Sequence, residues 1–190
     1  MSNGRSAFRN RLGSWLDSVL HWDRRMAHTI GESRNLNKLE RIFMTATTLG
    51  DGYIWASLAL GLLVFGGALG RRYVGIGFAI TVVNIAIFRL IKTMTGRIRP
   101  DTTAVVRLRT RIDGYSFPSG HATTSFGLAW VVFNAYPHVA VQTSVYVVAA
   151  TIAFSRVFVR DHYPLDVLGG AILGSAVAAA LFPLLTRLLF

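Results

Sequence analysis

Between Gly52 and Leu185 the chain is a succession of apolar blocks, each close to the roughly 20 helical residues that cross a bilayer. No other feature narrows the possible folds as much. Within hydrocarbon every backbone N–H and C=O must find its partner inside the protein, so blocks of this length fold as helices. Composition agrees: 52% of the 190 residues are hydrophobic, mean hydropathy is +0.45 and 15% are charged, where a soluble domain has about 25%. The blocks predict spans near Gly52–Gly70, Tyr73–Met94, His121 to just before Pro137, Val139–Val159 and Pro164–Leu185. Asp51 is placed to N-cap the first of these. Tyr53 and Trp55 suit an interfacial aromatic belt, and Arg71 and Arg72 close the span. Small residues four apart, Gly66 with Gly70 and Gly170 with Gly174, predict close approach of helices.

Residues 1–44 differ in being polar and basic, and they show no short apolar core with a cleavage site, so no signal peptide is expected. Phe8, Leu12, Trp15, Val19, Trp22 and Met26 recur at steps of four and three, while Arg9, Arg11, Asp17, Arg24 and Arg25 lie off that stripe. The pattern predicts one amphipathic helix, lying in the membrane interface or packed on the protein's own spans, and both can hold at once. The expected architecture is an all-α, polytopic transmembrane helix bundle of about five spans plus an N-terminal amphipathic interfacial helix. Residues 1–44 form the basic N-terminal segment and 45–190 the transmembrane domain.

The chain has no cysteine, which excludes disulfides, zinc-thiolate sites and cysteine nucleophiles. Its net charge is +11, a surplus that suits nucleic acid, acidic lipid or a phosphorylated substrate. In a chain that spans a membrane, lipid or phosphate is favoured and nucleic acid is not. Only Lys38 and Lys92 are lysines among the 20 basic residues.

Alternating spans sort the connections onto two sides, and the polar chemistry falls on one of them in three clusters. The first is Lys92 to Pro100, KTMTGRIRP. On a helix Lys92 and Arg99, seven apart, project the same way, and Pro100 would end that helix. The second is the turn Pro118-Ser119-Gly120, which delivers His121 to the start of a span. The third runs from Ser155 to Asp166, with Arg156 closing one span, His162 in the turn and Asp166 opening the next. With Pro164 in the first helical turn, Asp166 can reach the imidazole four residues earlier. Singly, each cluster reads equally as snorkelling cations, polar filler or a common turn. Together they supply three cations, two histidines, a carboxylate and a helix N-terminus, which suits a tetrahedral phosphate.

The order K-x6-RP, PSGH, SR-x5-H-x3-D resembles the three-part signature of the type 2 phosphatidic acid phosphatase superfamily, with every signature position present between Lys92 and Asp166. That superfamily holds membrane lipid phosphatases, soluble acid phosphatases and vanadium haloperoxidases, and the chain is most similar to the bacterial membrane branch. It departs in one respect: membrane members usually have six spans, and the basic amphipathic segment stands where the first would be. The resemblance implies hydrolysis of a phosphomonoester through a phosphohistidine. His162 is the implied nucleophile, Asp166 the group that holds its far nitrogen, and His121 the acid that protonates the leaving alkoxide and then activates water. Lys92, Arg99 and Arg156 would neutralise the phosphoryl oxygens, helped by Ser119 and the Gly120 amide. No metal or other cofactor is implied, and few carboxylates lie near the motifs to hold one.

The expected substrate is a membrane-embedded lipid phosphate such as phosphatidylglycerophosphate, phosphatidic acid or a prenyl diphosphate. A non-catalytic lipid or phosphate binder or transporter on the same fold is the alternative, and a haloperoxidase a poorer one. Arg107, Arg109 and Arg111 could hold a headgroup or form a solvated basic strip, and Arg97 and Arg160 flank the site. The motif side carries sixteen basic residues and the other side Arg71, Arg72 and Arg187. By the positive-inside rule the chain is a multi-pass protein of the inner (plasma) membrane with its active site facing the cytoplasm, although bacterial relatives often face outward. Oligomeric state is not legible.

Overall fold

The structure, a computed structural model, describes residues 3–100 and 114–189, and of residues 3–12 the backbone alone. Arg107, Arg109 and Arg111 lie outside the described residues, as do the side chains of Phe8, Arg9, Arg11 and Leu12. The described chain is helical: α1 (Asn3–Gly31), a short α2 (Arg34–Asn37), α3 (Glu40–Leu49), α4 (Tyr53–Phe65), α5 (Gly67–Thr95), α6 (Gly120–Ala135), α7 (Val139–Phe158) and α8 (Pro164–Leu189). Among the described residues one extended pairing, Ile98 with Tyr115, ties the two ends of the long connection between α5 and α6.

α6 is the central helix and packs on α8, α7 and α5. Its sequence explains the position. Ala122, Thr123, Ser125, Gly127 and Ala129 are small and buried, which lets neighbouring backbones come close. A Cβ on Gly170 would lie 2.5 Å from the Ser119 carbonyl, and one on Gly174 would run into that of Thr123. The glycine spacing in α8 therefore marks direct helix contact. Gly66 and Gly70 have another role: Gly66 caps α4 and the chain reverses at Gly67, whose φ is +59°. Arg71 and Arg72 consequently open the second helix of this hairpin, where the sequence had placed them at the close of the first.

By length and composition α5, α7 and α8 can each cross a membrane, and α3 with α4, bent by 56°, makes a fourth if the pair is one span. The fifth expected span, α6, is shorter than these. Its 16 residues extend only about 24 Å, and it is enclosed by longer helices. Large apolar side chains such as Phe65, Phe78, Val139 and Leu188 point outward, as a lipid-facing surface requires.

α1 contacts α7 and α8. Asp23 and Ala27 form its buried edge, whereas Trp15 and Trp22 of the apolar stripe are exposed. One side of α1 therefore packs on the protein and the aromatic side is left outward.

Candidate active site

The turn between α7 and α8 is a Schellman motif. Asp161 N–H donates to the Arg156 carbonyl (3.0 Å) and Arg160 N–H to that of Val157 (3.0 Å). Arg160 holds the left-handed position at φ +55°, which costs a non-glycine residue about 1 kcal/mol. Its guanidinium pairs with Glu32 (2.9 Å) and lies over Gly31. His162 N–H also donates to the Arg156 carbonyl (3.1 Å). The turn thus folds the His162 backbone back onto the last turn of α7.

Pro164 opens α8 as expected, and Asp166 closes half a capping box. Its Oδ2 accepts from the Tyr163 N–H (2.8 Å) and its Oδ1 from Arg97 Nη1 (2.6 Å). His162 Nδ1 lies 3.8 Å from Asp166 Oδ2, in reach of a small rotation but not hydrogen-bonded. Arg97 also pairs with Asp23 (2.5 Å) and stacks on Tyr163, and Asp23 accepts from the Leu165 N–H (2.9 Å). α1 therefore sends a fully buried carboxylate into the support of Asp166.

At the start of α6, the Ser119 hydroxyl accepts from Ala122 N–H (3.5 Å) and its backbone N–H donates to the Asp166 carbonyl (2.9 Å). These bonds set the origins of α6 and α8 side by side. His121 Nε2 donates to Asp51 Oδ1 (2.8 Å). Asp51 does not cap α4; Gly52, at φ +118°, is the cap residue and its position makes no side-chain capping bond. The bend between α3 and α4 turns the carboxylate toward the histidine. Gly50 permits the approach: a Cβ there would lie 3.2 Å from His121 Cδ2 and closer still to Ile152.

Lys92 is buried in the last turn of α5 and its Nζ donates to the Tyr115 carbonyl (3.0 Å). Arg99 is not on that helix. α5 stops at Thr95 because Gly96 takes the left-handed conformation, φ +58°, well before Pro100. Arg99 reaches the site from the loop, held by the Ile98–Tyr115 pairing and by Ser116 N–H on the Arg97 carbonyl (2.7 Å). Arg156 lies under the Thr47–Ser155 hydroxyl pair (2.8 Å) and donates to Thr47 Oγ1 (3.4 Å).

Lys92, Arg99, Gly120, His121, Arg156 and His162 line one end of a single cavity of about 960 Å³. Ser119 and Asp166 stand behind this wall. From His121 the cavity follows α6 between α4 and α5 to Tyr136, a distance of about 22 Å at helical rise. Most of its surface beyond the polar end is apolar, with Leu58, Leu62, Phe78 and Ile85 on the walls.

Burial lowers the His162 pKa to about 4; the Asp166 carboxylate opposes the shift and Arg156 adds to it. The imidazole is therefore neutral at neutral pH. Burial would raise Asp161, but the charges of Arg156 and Arg99, with the hydrogen bond from Arg99, outweigh it and hold that carboxyl well below its usual range.

Four carboxylates, Asp23, Asp51, Asp161 and Asp166, surround the polar end, where the sequence had suggested few. Each is paired with a basic side chain or an imidazole. Asp166 alone was evident from spacing. Asp51, between two glycines, carried a local signal, and Asp161 adjoined His162. Nothing near Asp23 marked it.

Residues 72–189 match the PAP2 superfamily. An undecaprenyl-diphosphatase of Sulfolobus acidocaldarius is 28% identical over 144 residues, 74% of this chain and 68% of that protein. A lipid A 4'-phosphatase of Bacteroides thetaiotaomicron is 31% identical over 109 residues, 53% of this chain and 48% of that protein. A lipid A 1-phosphatase of Porphyromonas gingivalis is 31% identical over 145 residues, 75% and 28%. The chain thus spans less than half the length of the latter two. Among solved structures, the transmembrane PAP2-type phosphatidylglycerolphosphate phosphatase of Bacillus subtilis superposes with a TM-score of 0.71 at 20% identity, covering 90% of this chain and 87% of that one. Aquifex aeolicus LpxE gives 0.61 at 21%, covering 84% and 93%. With a match over most of its length and a shared helical fold, this multi-pass membrane chain belongs to the PAP2 superfamily, in its membrane lipid phosphatase branch.

Proposed function

We propose that the protein hydrolyses the terminal phosphate of a membrane lipid, with the phosphate at the polar end of the cavity and the lipid tail in its apolar length. The observation that carries this reading is the continuity of that cavity. Two imidazoles and three cations lie at one end, and an apolar slot of about 22 Å leads away, longer than the ~15 Å of one leaflet of a 30 Å core.

In the first step His162 Nε2 forms a bond to phosphorus and the phosphorus–alkoxide bond breaks, the alkoxide taking a proton from His121. In the second, water gives that proton back to His121 as its oxygen bonds to phosphorus, and the nitrogen–phosphorus bond breaks. Asp166, anchored by Arg97 and the Tyr163 N–H, faces Nδ1 and stabilises the charge that develops on the ring. Asp51 holds the proton-bearing Nε2 of His121. Lys92, Arg99 and Arg156 take the phosphoryl oxygens, with the Gly120 amide at the α6 N-terminus beside them; Gly120 itself packs on Phe88, where a Cβ would come within 3.1 Å.

Phosphatidylglycerophosphate, phosphatidic acid and prenyl diphosphates all carry such a phosphate on a long tail. The relatives' names, which include a diphosphatase and two lipid A phosphatases, add lipid A phosphates to the set. Phosphate release across that panel in detergent, with and without EDTA, tests the reading. Release from at least one lipid, undiminished by EDTA and lost in His162→Ala, is expected; release that needs added magnesium contradicts the metal-free scheme. The charge bias of sixteen basic residues against three supports a cytoplasmic site. The chain has no cysteine, so Ser14→Cys gives a single label: protection from an impermeant maleimide in intact cells is expected, and labelling would reverse the orientation.

A further inference from the structure

Of the two carboxylates among the described residues that line the cavity, Asp51 and Asp161, only Asp161 is left without a task by the hydrolysis scheme. It is 3% exposed and lines the polar end with the catalytic histidines. Its Oδ2 pairs with Arg99 Nη1 (2.6 Å) and with Arg156 Nη2, and lies 3.9 Å from His162 Nε2. A single oxygen, bonded to two guanidinium groups and facing the attacking nitrogen, is placed as a phosphoryl oxygen would be. The other oxygen, Oδ1, has no hydrogen-bond partner among the described residues.

We propose that Asp161 is a built-in competitor for the phosphate position and thereby sets which anions the site admits. The inference rests on the phosphatase reading above. Any anion that binds must displace the carboxylate from the two arginines. A phosphodiester headgroup carries one negative charge, so the exchange replaces like with like and gains little. A terminal phosphate carries close to two charges at neutral pH and gains a further attraction to Lys92, Arg99 and Arg156. The threshold matters at a membrane surface, where diester headgroups vastly outnumber substrate and would otherwise fill the site. Both arginines have a second anchor that survives the exchange: Arg99 donates to the Asp161 carbonyl and Arg156 to Thr47 Oγ1, each at 3.4 Å.

Calorimetric binding of methyl phosphate and dimethyl phosphate to the purified full chain in detergent, at pH 8, tests this. The wild-type protein binds methyl phosphate and takes up dimethyl phosphate poorly. Asp161→Asn is expected to bind methyl phosphate tighter by about tenfold or more, as the Coulomb competition of one buried charge is removed, and to bring dimethyl phosphate into the measurable range. Asp161→Glu, which keeps the charge, gains nothing. Unchanged or weaker binding in Asp161→Asn would mean that the carboxylate only orients the arginines, and overturns the inference, as does an equal gain in Asp161→Glu. Asp161→Ser gives the same readout if the asparagine variant does not fold. A wild-type protein that binds no methyl phosphate removes the phosphate cradle itself, and with it the reading above; binding without a gain removes only the role of Asp161.

Discussion

The two histidines of the cavity are held in opposite ways. His162 has its carboxylate four residues on, across a single turn. His121 takes its partner from Asp51, 70 positions upstream, across the bend between α3 and α4. The first side chain is 2% exposed and the second 21%. A nucleophile gains from a fixed, dry setting in which it stays neutral. An acid that must pass a proton to the leaving group and then take one from water gains from partial access. The local pair needs only a turn and a helix start, whereas the distant pair exists only when the segment before α4 is docked.

Alanine at either position is the widest way to break that contrast. His162→Ala should abolish phosphate release, a loss of about 10⁴-fold or more, as for the removal of other covalent nucleophiles. His121→Ala should cost about 10²–10⁴-fold. A residual rate in His162→Ala above that of His121→Ala would exchange the two roles. The carboxylates sharpen the comparison. Asp166→Asn weakens the support of His162, the Arg97 pair and the α8 cap together, and should lower kcat by about 10²-fold or more. Asp51→Asn still leaves a hydrogen-bonding group beside His121 and should cost about 10-fold. Equal losses would mean that the two pairs do the same work.

The pH profile separates the two settings by a smaller effect. With its pKa lowered to about 4, His162 is neutral and competent above that value and is protonated and inactive below it. The His162 ring, followed by NMR across pH in the absence of substrate, should therefore titrate near pH 4, and a midpoint near the ordinary imidazole value of about 6.5 would show a wetter ring than the structure has. The smallest effect belongs to the turn itself. Arg160→Gly relieves the left-handed residue and loses the pair with half-exposed Glu32. The two terms, each about 1 kcal/mol or less after solvent screening, oppose one another. Thermal unfolding in detergent should shift little, with activity retained.

What the sequence revealed follows the same division between local and distant. The all-helical bundle, the helix start at Pro164, the place of Arg156 in the last turn of α7 and the gathering of three clusters could be read because each depends on neighbours within a few residues. The helix assumed between Lys92 and Arg99 failed because Gly96 is permissive and takes the left-handed conformation, which no hydrophobic period reports. Asp51 looked like a helix cap because local pattern cannot see His121 across the fold. Asp23 was invisible for the same reason: it lies in a basic amphipathic helix, and its value comes from Arg97 and the α8 N-terminus.

The most direct test is to find where the phosphoryl group goes. A prenyl diphosphate radiolabelled in its terminal phosphate, whose leaving group is itself a phosphate and needs little help from an acid, mixed with the His121→Ala variant and quenched in alkali to preserve a phosphoramidate, should leave label on the peptide that contains His162, because transfer then outruns hydrolysis once the second-step base is gone. Label on no histidine, or the same label retained in a variant that also carries His162→Ala, would contradict a mechanism in which that imidazole attacks phosphorus.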